Sequence, residues 1–323
     1  MSDNAPLLVF GAHPDDIEFG VGGIVAQEVR AGAAGGVEGT RLAEPWHAST
    51  QDDASGVEGT RLAEPWHAST QDDASGDDGT RLAEPWHAST QDDASGDEGS
   101  RLSEPWHAST LGDAPTGRPV HMIVCSLGEA GSVGTPEIRE AESRNAAAIL
   151  GASLEFLSLD GDARLRASAE HAIILAGAIR RIRPGVVIAP SLSENQHPDH
   201  AQLGRLVRDA ARLARFGGIS ELKALPPHSI TSLFYYALSL EAEPRDLSPI
   251  LYDVSDEDSV AAWVAAMEAH ASQVRAKPYV EMQLTRARSR GLSAGIGHAI
   301  ALFPADPILV NRLEPIARGA RSF

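Results

Sequence analysis

The chain has 323 residues, 42% of them hydrophobic, which suits one large domain or two small ones. Its 45 acidic residues outnumber 27 basic ones, and the net charge of -18 argues against nucleic acid as a partner because phosphates would repel it. Cys125 is the sole cysteine, which excludes an intrachain disulfide and a cysteine-rich zinc finger.

The first elements along the chain are a strand and a helix. Residues 6–12 form a short apolar run that ends in a turn, which is typical of a buried strand, and 17–33 has a helical pattern. The start of the chain has no basic segment, and its apolar run is far shorter than the about 20 residues that a membrane helix needs. We therefore expect a cytoplasmic protein with no signal peptide.

A tandem repeat follows the first helix. The segment VEGTRLAEPWHASTQDDASG occupies 37–56, recurs unchanged at 57–76 and continues with changes to residue 110. The copies have no apolar face at helical or strand period, and together they carry 16 acidic residues and 4 arginines. We predict that 34–117 is an acidic insert and largely disordered. The alternative is that its repeated Trp-His pairs bind a metal or a partner.

Strands alternate with helices after the insert. The predicted strands are 121–126, 154–159 and 186–190, and the predicted helices are 136–152, 169–183 and 199–215. This alternation predicts an α/β protein with a Rossmann-like three-layer fold and a mostly parallel sheet. We expect residues 1–33 and 118–323 to form a single domain that the repeats interrupt.

Two motifs rich in histidine and aspartate follow the first and fourth predicted strands. They are AHPDD at 12–16 and HPDH at 197–200. Ligands of such sheets bind beyond the carboxyl ends of the strands, so both motifs should meet at one edge. Hydrolytic zinc takes three nitrogen or oxygen ligands and keeps one position open for water. The sequence thus predicts a metal site, although His-Pro-Asp also serves as ordinary turn chemistry.

These motifs carry a resemblance to a known family. The stretches AHPDDIEFGVGGIVA, LGEAGSVGTPEIREAE and ENQHPDHAQLGRLVRDAA resemble the PIG-L/LmbE-like zinc N-deacetylases. The later stretches LPPHSITSLFYY, EAHASQ and FPADPILV are similar to the N-acetylglucosaminyl-malate deacetylase branch of that family, which serves bacillithiol synthesis. The resemblance covers about 6–33 and 118–315.

The resemblance implies a role for each residue of the two motifs. His13, Asp16 and His200 would hold Zn²⁺, with Fe²⁺ as an alternative metal. Asp15 would be the general base that takes a proton from water, and His197 would face the developing oxyanion. For Asp15 and His197 the alternative is support of the metal ligands.

The resemblance also places Arg139, Glu129 and Asp162 around the substrate. A guanidinium such as that of Arg139 can grip hydroxyls or a carboxylate, and the alternative for Arg139 is a solvated helix residue. Other residues with reactive side chains are expected to be structural or inert; these are His121, His171, His228 and Cys125.

The implied function is removal of the acetyl group from an N-acetylglucosamine-type glycoside, with N-acetylglucosaminyl-malate as a candidate. The partner would be a small-molecule N-acetylated sugar conjugate, without nucleic acid or membrane, and a homo-oligomer is left open. One alternative is a zinc deacylase of another glycoside or an antibiotic-like molecule. Another is a binding or scaffold protein that acts through the acidic repeats.

Overall fold

The computed structural model describes residues 5–30, 117–193 and 197–310. The predicted repeat insert, apart from Gly117, lies outside these residues. In the described part of the chain, no helix is both long and apolar enough to cross a membrane.

Seven strands, seven α-helices and one short 3-10 helix (Ser220–Leu222) make up the regular elements of the described structure. The strands are β1 (Leu7–Gly11), β2 (Val120–Val124), β3 (Ser153–Phe156), β4 (Val186–Pro190), β5 (Ser232–Tyr236), β6 (Ile250–Asp253) and β7 (Ala299–Pro304). The helices are α1 (Asp16–Arg30), α2 (Pro136–Leu150), α3 (Ala169–Ile182), α4 (Pro198–Leu213), α5 (Glu257–Glu268), α6 (Ala271–Val274) and α7 (Tyr279–Ala294). No strand or helix was predicted beyond residue 215, so the elements from β5 onward are seen only in the structure.

The strands form one sheet in the order β3-β2-β1-β4-β5-β7-β6. The first five strands in this order are parallel to their neighbours, whereas β7 is antiparallel to both β5 and β6. Crossover helices join the parallel strands, as the alternation of elements predicted. The α/β fold with a mostly parallel sheet is therefore confirmed.

Helices cover both faces of the sheet. Leu7 and Val9 of β1 pack into the apolar layer beneath α1, α2 and α5, while Leu8 and Phe10 pack into the layer beneath α3 and α4. Successive side chains of a strand point to opposite faces, so β1 is buried on both sides. Its carboxyl end is thereby held at the centre of the sheet edge.

Helix α1 bends at Val21, whose φ of -143° and ψ of 15° are not helical. The indole of Trp263 on α5 packs against the bend, and its Nε1 donates a hydrogen bond to Glu18 O at 2.7 Å. An ideal Cβ on Gly22 would lie 2.6 Å from that indole, so the glycine makes room for it. This packing fixes the start of α1, where the first motif lies.

The chain leaves the described structure after α1 and re-enters it beside the same helix. An ideal Cβ on Gly117 would lie 2.1 Å from Val29 O. Arg118 Nε donates a hydrogen bond to Glu28 Oε2 at 2.6 Å, and Tyr252 Oη donates to Glu28 Oε1 at 2.7 Å. The two described ends that flank residues 31–116 are thus bonded to each other.

Candidate metal centre and catalytic cleft

Loops at the carboxyl ends of the parallel strands build the site. The first motif lies between β1 and α1, and the second begins at His197, which caps the N-terminus of α4. The loop after β3 turns through two residues with left-handed backbone, Gly161 (φ 87°) and Ala163 (φ 60°), and brings Asp162 to the same edge. These loops meet because parallel strands end on one side of a sheet.

The structure brings the three predicted metal ligands together. Asp16 Oδ1 lies 3.2 Å from His200 Nε2, and Asp16 Oδ2 lies 3.5 Å from His13 Nδ1. One potential ligand atom from each residue lies within 4.8 Å of the others. Two imidazole nitrogens and one carboxylate suit zinc in a hydrolytic site, and the same set also suits ferrous iron. The residues present therefore fit the predicted metal.

The side chain of Asp16 is held in place by the main chain. Its Oδ2 accepts hydrogen bonds from Ala12 N at 2.8 Å and His13 N at 2.9 Å. Although burial by itself would raise it, the pKa of Asp16 is held well below its ordinary value by the charges of His200 and His13. Asp16 is thus ionised, as a metal ligand must be.

Two further carboxylates face the other nitrogen of His13. Nε2 lies 3.1 Å from Asp162 Oδ1 and 3.3 Å from Asp199 Oδ2. Asp199 in turn accepts hydrogen bonds from Ala163 N at 2.8 Å and Leu165 N at 3.2 Å. A carboxylate behind a ligating imidazole fixes the ring and its tautomer. Asp199 stands inside HPDH, although no role for it was predicted from the sequence.

A second group of potential ligands shares His13 with the first: it consists of His13, Asp162, His197 and Asp199. Backbone N–H groups already bond Asp199, and Asp162 Oδ2 accepts from Ala130 N at 3.1 Å. These bonds favour a supporting role for both carboxylates.

The pKa of His13 is raised well above its ordinary value. Burial opposes the charged form of the imidazole, but the carboxylates of Asp16, Asp162 and Asp199 outweigh the effect of burial.

Asp15 has a strained backbone and a shifted pKa. Its φ of 104° is unusual for a residue other than glycine. Burial and the charge of the adjacent Asp16 raise the pKa of Asp15 to about 7, against the opposing charges of His270 and Arg139. A carboxylate with a pKa near neutrality can both accept and return a proton.

His197 lies beside the predicted ligands. Its ring centroid is 4.3 Å from that of His13, and its Nε2 lies 3.4 Å from Asp162 Oδ1. Burial and the nearby His13 lower the pKa of His197. The side chain is 30% exposed, so a neutral imidazole faces the cleft.

The three predicted substrate-binding residues lie in different surroundings. Asp162 faces His13, as described above. Glu129 is exposed, and its Oε2 accepts a hydrogen bond from Asp162 N at 3.1 Å. Arg139 is only 5% exposed and bonds to Pro14, Asp15 and Gly128. Glu129 and Arg139 thus contact the loops that shape the cleft.

The side chains expected to be structural or inert make contacts with neighbouring structural groups. His121 Nδ1 lies 2.6 Å from Ser153 Oγ, His171 Nδ1 lies 3.1 Å from Arg166 O, and His228 Nε2 donates to Pro184 O at 2.7 Å. Burial raises the pKa of the Cys125 thiol, which disfavours the reactive thiolate.

The site opens into a cleft of about 620 Å³. Residues of the two motifs form part of its lining. Another part, named here the apolar wall, consists of residues for which the sequence predicted no role: Phe19, Leu238, Lys277, Tyr279, Met282 and Gln283. The rings of Phe19 and Tyr279 have centroids 5.2 Å apart. This wall is largely apolar and aromatic.

Part of the sequence matches a known family. Residues 107–211 match the family model described as PIG-L: GlcNAc-PI de-N-acetylase. The 4-oxalmesaconate hydratase of Pseudomonas putida KT2440 is 31% identical over 117 residues, which cover 32% of this chain and 45% of the hydratase. The chain therefore matches less than half the length of that curated relative.

Solved structures resemble nearly the whole chain. The conserved protein TT1542 from Thermus thermophilus is 25% identical, with a TM-score of 0.60 over 95% of this chain and 97% of that one. The N,N'-diacetylchitobiose deacetylase of Pyrococcus horikoshii is 17% identical, with a TM-score of 0.58 over 93% of this chain and 83% of that one. At that identity, the second likeness concerns the fold alone.

Proposed function

We propose that the protein is a metal-dependent hydrolase that removes the acetyl group from an N-acetylglucosamine-type glycoside. The observation that carries this proposal is the cluster of His13, Asp16 and His200 beside Asp15 and His197 on one open cleft. The match of residues 107–211 to the PIG-L family supports the same reaction. Zinc is the proposed metal, and ferrous iron is compatible with the same ligands.

The metal ligands would be His13, Asp16 and His200, as the distances among them allow. When bound, zinc supplies Lewis acidity toward the amide carbonyl and lowers the pKa of water to about 7. Asp199 and Asp162 orient the imidazole of His13 by facing its Nε2.

Asp15 and His197 would carry out the proton transfer and charge stabilisation. Asp15 takes a proton from the attacking water and returns it to the leaving amine as the amide bond breaks. The backbone N–H of Asp199 donates to Nδ1 of His197 at 3.3 Å, so the neutral ring carries its hydrogen on Nε2. That Nε2–H can donate to the oxyanion that forms on the substrate.

The cleft supports a substrate that combines a sugar with an anionic group. Lys277 lines the cleft and forms no ion pair within the described part of the chain, and its Nζ lies 5.9 Å from the ring centroid of Tyr279. A sugar can stack on the half-buried ring of Tyr279, and an ammonium group attracts carboxylates. N-acetylglucosaminyl-malate, with two carboxylates, is the proposed candidate. A different glycoside or an antibiotic-like molecule with an apolar group is the alternative.

The test is amine release by metal-loaded protein from N-acetylglucosamine, its methyl glycoside and N-acetylglucosaminyl-malate. We expect one amine and one acetate per turnover, with the malate conjugate fastest. His200→Ala should lose both metal and activity, because a site reduced to two ligands binds metal weakly. A fully loaded protein that releases no amine from any N-acetylated sugar would contradict the proposal.

A hydratase is the second candidate function. The 31% identity to a 4-oxalmesaconate hydratase over 117 residues supports it. Both reactions begin when a base takes a proton from water, so Asp15 would serve either one. An unsaturated dicarboxylic acid distinguishes the two functions. A protein that removes the ultraviolet absorbance of this acid, but releases no amine from N-acetylated sugars, would be a hydratase.

A scaffold function would depend on the acidic repeats. They lie outside the described residues, whereas the cleft and its side chains lie within them. We propose that the repeats are a dispensable insert in a single catalytic domain formed by 1–33 and 118–323.

A further inference from the structure

Arg139 occupies the point where three segments of the chain meet. It belongs to the first turn of α2, and its guanidinium is enclosed by the loops that follow β1 and β2. Nη2 donates to Pro14 O at 2.9 Å, and Nη1 donates to Gly128 O at 3.1 Å. Nη2 also lies 3.3 Å from Asp15 Oδ2. Arg139 is among the residues that line the cleft, but its side chain is only 6% exposed, which leaves little of it for a ligand.

The backbone of Asp15 needs support. A φ of 104° is strained for a residue other than glycine and persists only where neighbours impose it. Arg139 holds the strained residue at two points. Its Nη2 donates hydrogen bonds both to Pro14 O, just before Asp15, and to the carboxylate of Asp15. In the described part of the chain, Arg139 is the only side chain with a hydrogen bond or ion pair to that carboxylate.

Glycines in the loop after β2 make room for the guanidinium. Gly128 has a φ of 70°, and an ideal Cβ there would lie 1.9 Å from Nη1 of Arg139. An ideal Cβ on Gly131 would lie 2.8 Å from the same atom. A larger residue at 128 would therefore displace the guanidinium from its contacts with the Asp15 loop.

We infer that Arg139 is a positioning residue for Asp15 and does not bind the substrate. It holds Oδ2 of Asp15, while Oδ1 makes no hydrogen bond to the described residues and remains available to a water molecule in the cleft. This inference rests on the proposed function, in which Asp15 is the base. It differs both from the substrate-binding role that the resemblance implied for Arg139 and from the alternative of a solvated helix residue.

The test compares Arg139→Gln and Arg139→Lys with the wild type in kcat, KM and bound metal. A positioning role predicts that Arg139→Gln lowers kcat by about 10²-fold, as for a misplaced catalytic group, while KM stays within about threefold and the metal remains. Lysine keeps the charge but cannot reach both carbonyls, so Arg139→Lys should recover only part of kcat. A raised KM with unchanged kcat would show a substrate-binding role and overturn the inference.

A double variant separates positioning from general structural support. Residues that act as a unit are not additive, so Arg139→Gln combined with Asp15→Asn should be no slower than Asp15→Asn alone. Losses that multiply in the double variant would overturn the inference.

Gly128→Ala should displace the guanidinium of Arg139 without changing a charged residue, because the added Cβ would collide with it. This variant replaces Arg139→Gln in the test if Arg139→Gln does not fold. It should lower kcat and leave KM and metal content unchanged. Gly295→Ala is its matched control, because Gly295 also has a φ of 70° but ends α7 away from the cleft. Equal losses of kcat in the two glycine variants would count against the inference.

The hydrolysis of 4-nitrophenyl acetate distinguishes failure of this inference from failure of the proposed function. This activated ester needs water activation but no sugar recognition. If the wild type hydrolyses the ester but no N-acetylated sugar, the proposed substrate class is wrong. The Arg139 variants are then judged on kcat for the ester, and unchanged ester hydrolysis in Arg139→Gln would overturn the inference.

Discussion

The Nε2 atom of His13 lies 3.3 Å from Oδ2 of Asp199, so a carboxylate of the second motif orients an imidazole of the first. Both side chains are nearly inaccessible to solvent, with 8% and 4% of their surface exposed. A carboxylate that contacts a ligating histidine in this way raises the basicity of the imidazole and fixes its orientation. Loss of such a carboxylate typically lowers metal affinity by about 10- to 100-fold.

Asp199→Asn should therefore weaken zinc binding by about 10- to 100-fold. The amide keeps the size of the side chain but loses the negative charge that faces His13. Competition with a chromogenic chelator measures the affinity. Asp209→Asn, on the same helix with a half-exposed side chain, is the control and should bind zinc as the wild type does. Equal affinity in Asp199→Asn would remove Asp199 from the support of the metal.

Replacing His197 by Ala should lower kcat by about 10²- to 10³-fold, the cost of losing one oxyanion donor. Metal content should not change, because His197 is not among the three proposed ligands. His197→Gln should retain more activity, since its amide can donate a hydrogen bond. Steady-state kinetics and metal analysis of both variants provide the check. Loss of stoichiometric zinc in His197→Ala would instead make His197 a ligand.

Asp15→Asn should keep its metal and lose activity by about 10²-fold or more, as expected for a missing general base. The amide cannot take a proton from water, although it can still occupy the space next to Arg139. Single-turnover rates and zinc content should be measured on the same preparation. Activity within a few-fold of the wild type would exclude Asp15 as the base.

Zinc binding should release protons, and the part of that release that comes from Asp15 should fall as the pH rises from 6 to 8. His13, with its raised pKa, must lose a proton to bind metal, and a nearby cation favours the ionised form of Asp15, whose pKa is about 7 in the metal-free protein. Below pH 7 both groups are protonated before binding, so affinity weakens as the pH falls. Above pH 7 Asp15 is already ionised and contributes no proton.

Calorimetry in two buffers of different ionisation enthalpy counts these protons. Asp15→Asn should release about one proton fewer at pH 6 than the wild type, and the same number at pH 8. Identical counts in the two proteins at pH 6 would contradict the assigned shift of Asp15.

Deleting residues 34–116 should leave a folded, zinc-binding and active protein. The ends of the described structure already meet, since Arg118 bonds Glu28 and Gly117 packs against Val29. A long insertion in a connection costs only about 0.6 kcal/mol per doubling of its length. We expect a melting temperature within a few degrees of the full chain and kcat within about threefold. Aggregation, or a folded protein that binds zinc without turnover, would show that the repeats contribute to the site.

The sequence by itself determined the parallel part of the sheet and the edge at which the two histidine-rich motifs meet. Strands and helices alternate from residue 6 to residue 215, and such an alternation forms a parallel sheet whose ligands lie at the carboxyl ends of its strands. His13 and His200 follow two of those strands, so their proximity is a consequence of the fold class. Short-range patterns carry this information, since each element is coded by its own residues.

Tertiary structure alone decided which polar groups face which. Asp199 could be seen within HPDH, but its partners could not. The turn through Gly161 and Ala163 brings the loop after β3 to Asp199, whose carboxylate accepts a hydrogen bond from Ala163 N and faces His13. The resemblance placed Arg139 at the substrate, and only the structure shows that its guanidinium is bonded to Pro14 O and Gly128 O. A side chain of this length can point in several directions, and packing selects one.

The apolar wall of the cleft also depended on tertiary structure. Lys277 lies just before α7, and Tyr279 and Met282 lie in its first turn, more than 60 residues after the last motif. They carry no motif and lie in the cleft because α7 packs beside α1 and the antiparallel strand β7. Contacts between residues so distant in the chain arise from the packing of whole elements, which no local pattern encodes. The sequence therefore predicted the chemistry of the site, while the fold decided what the cleft can recognise.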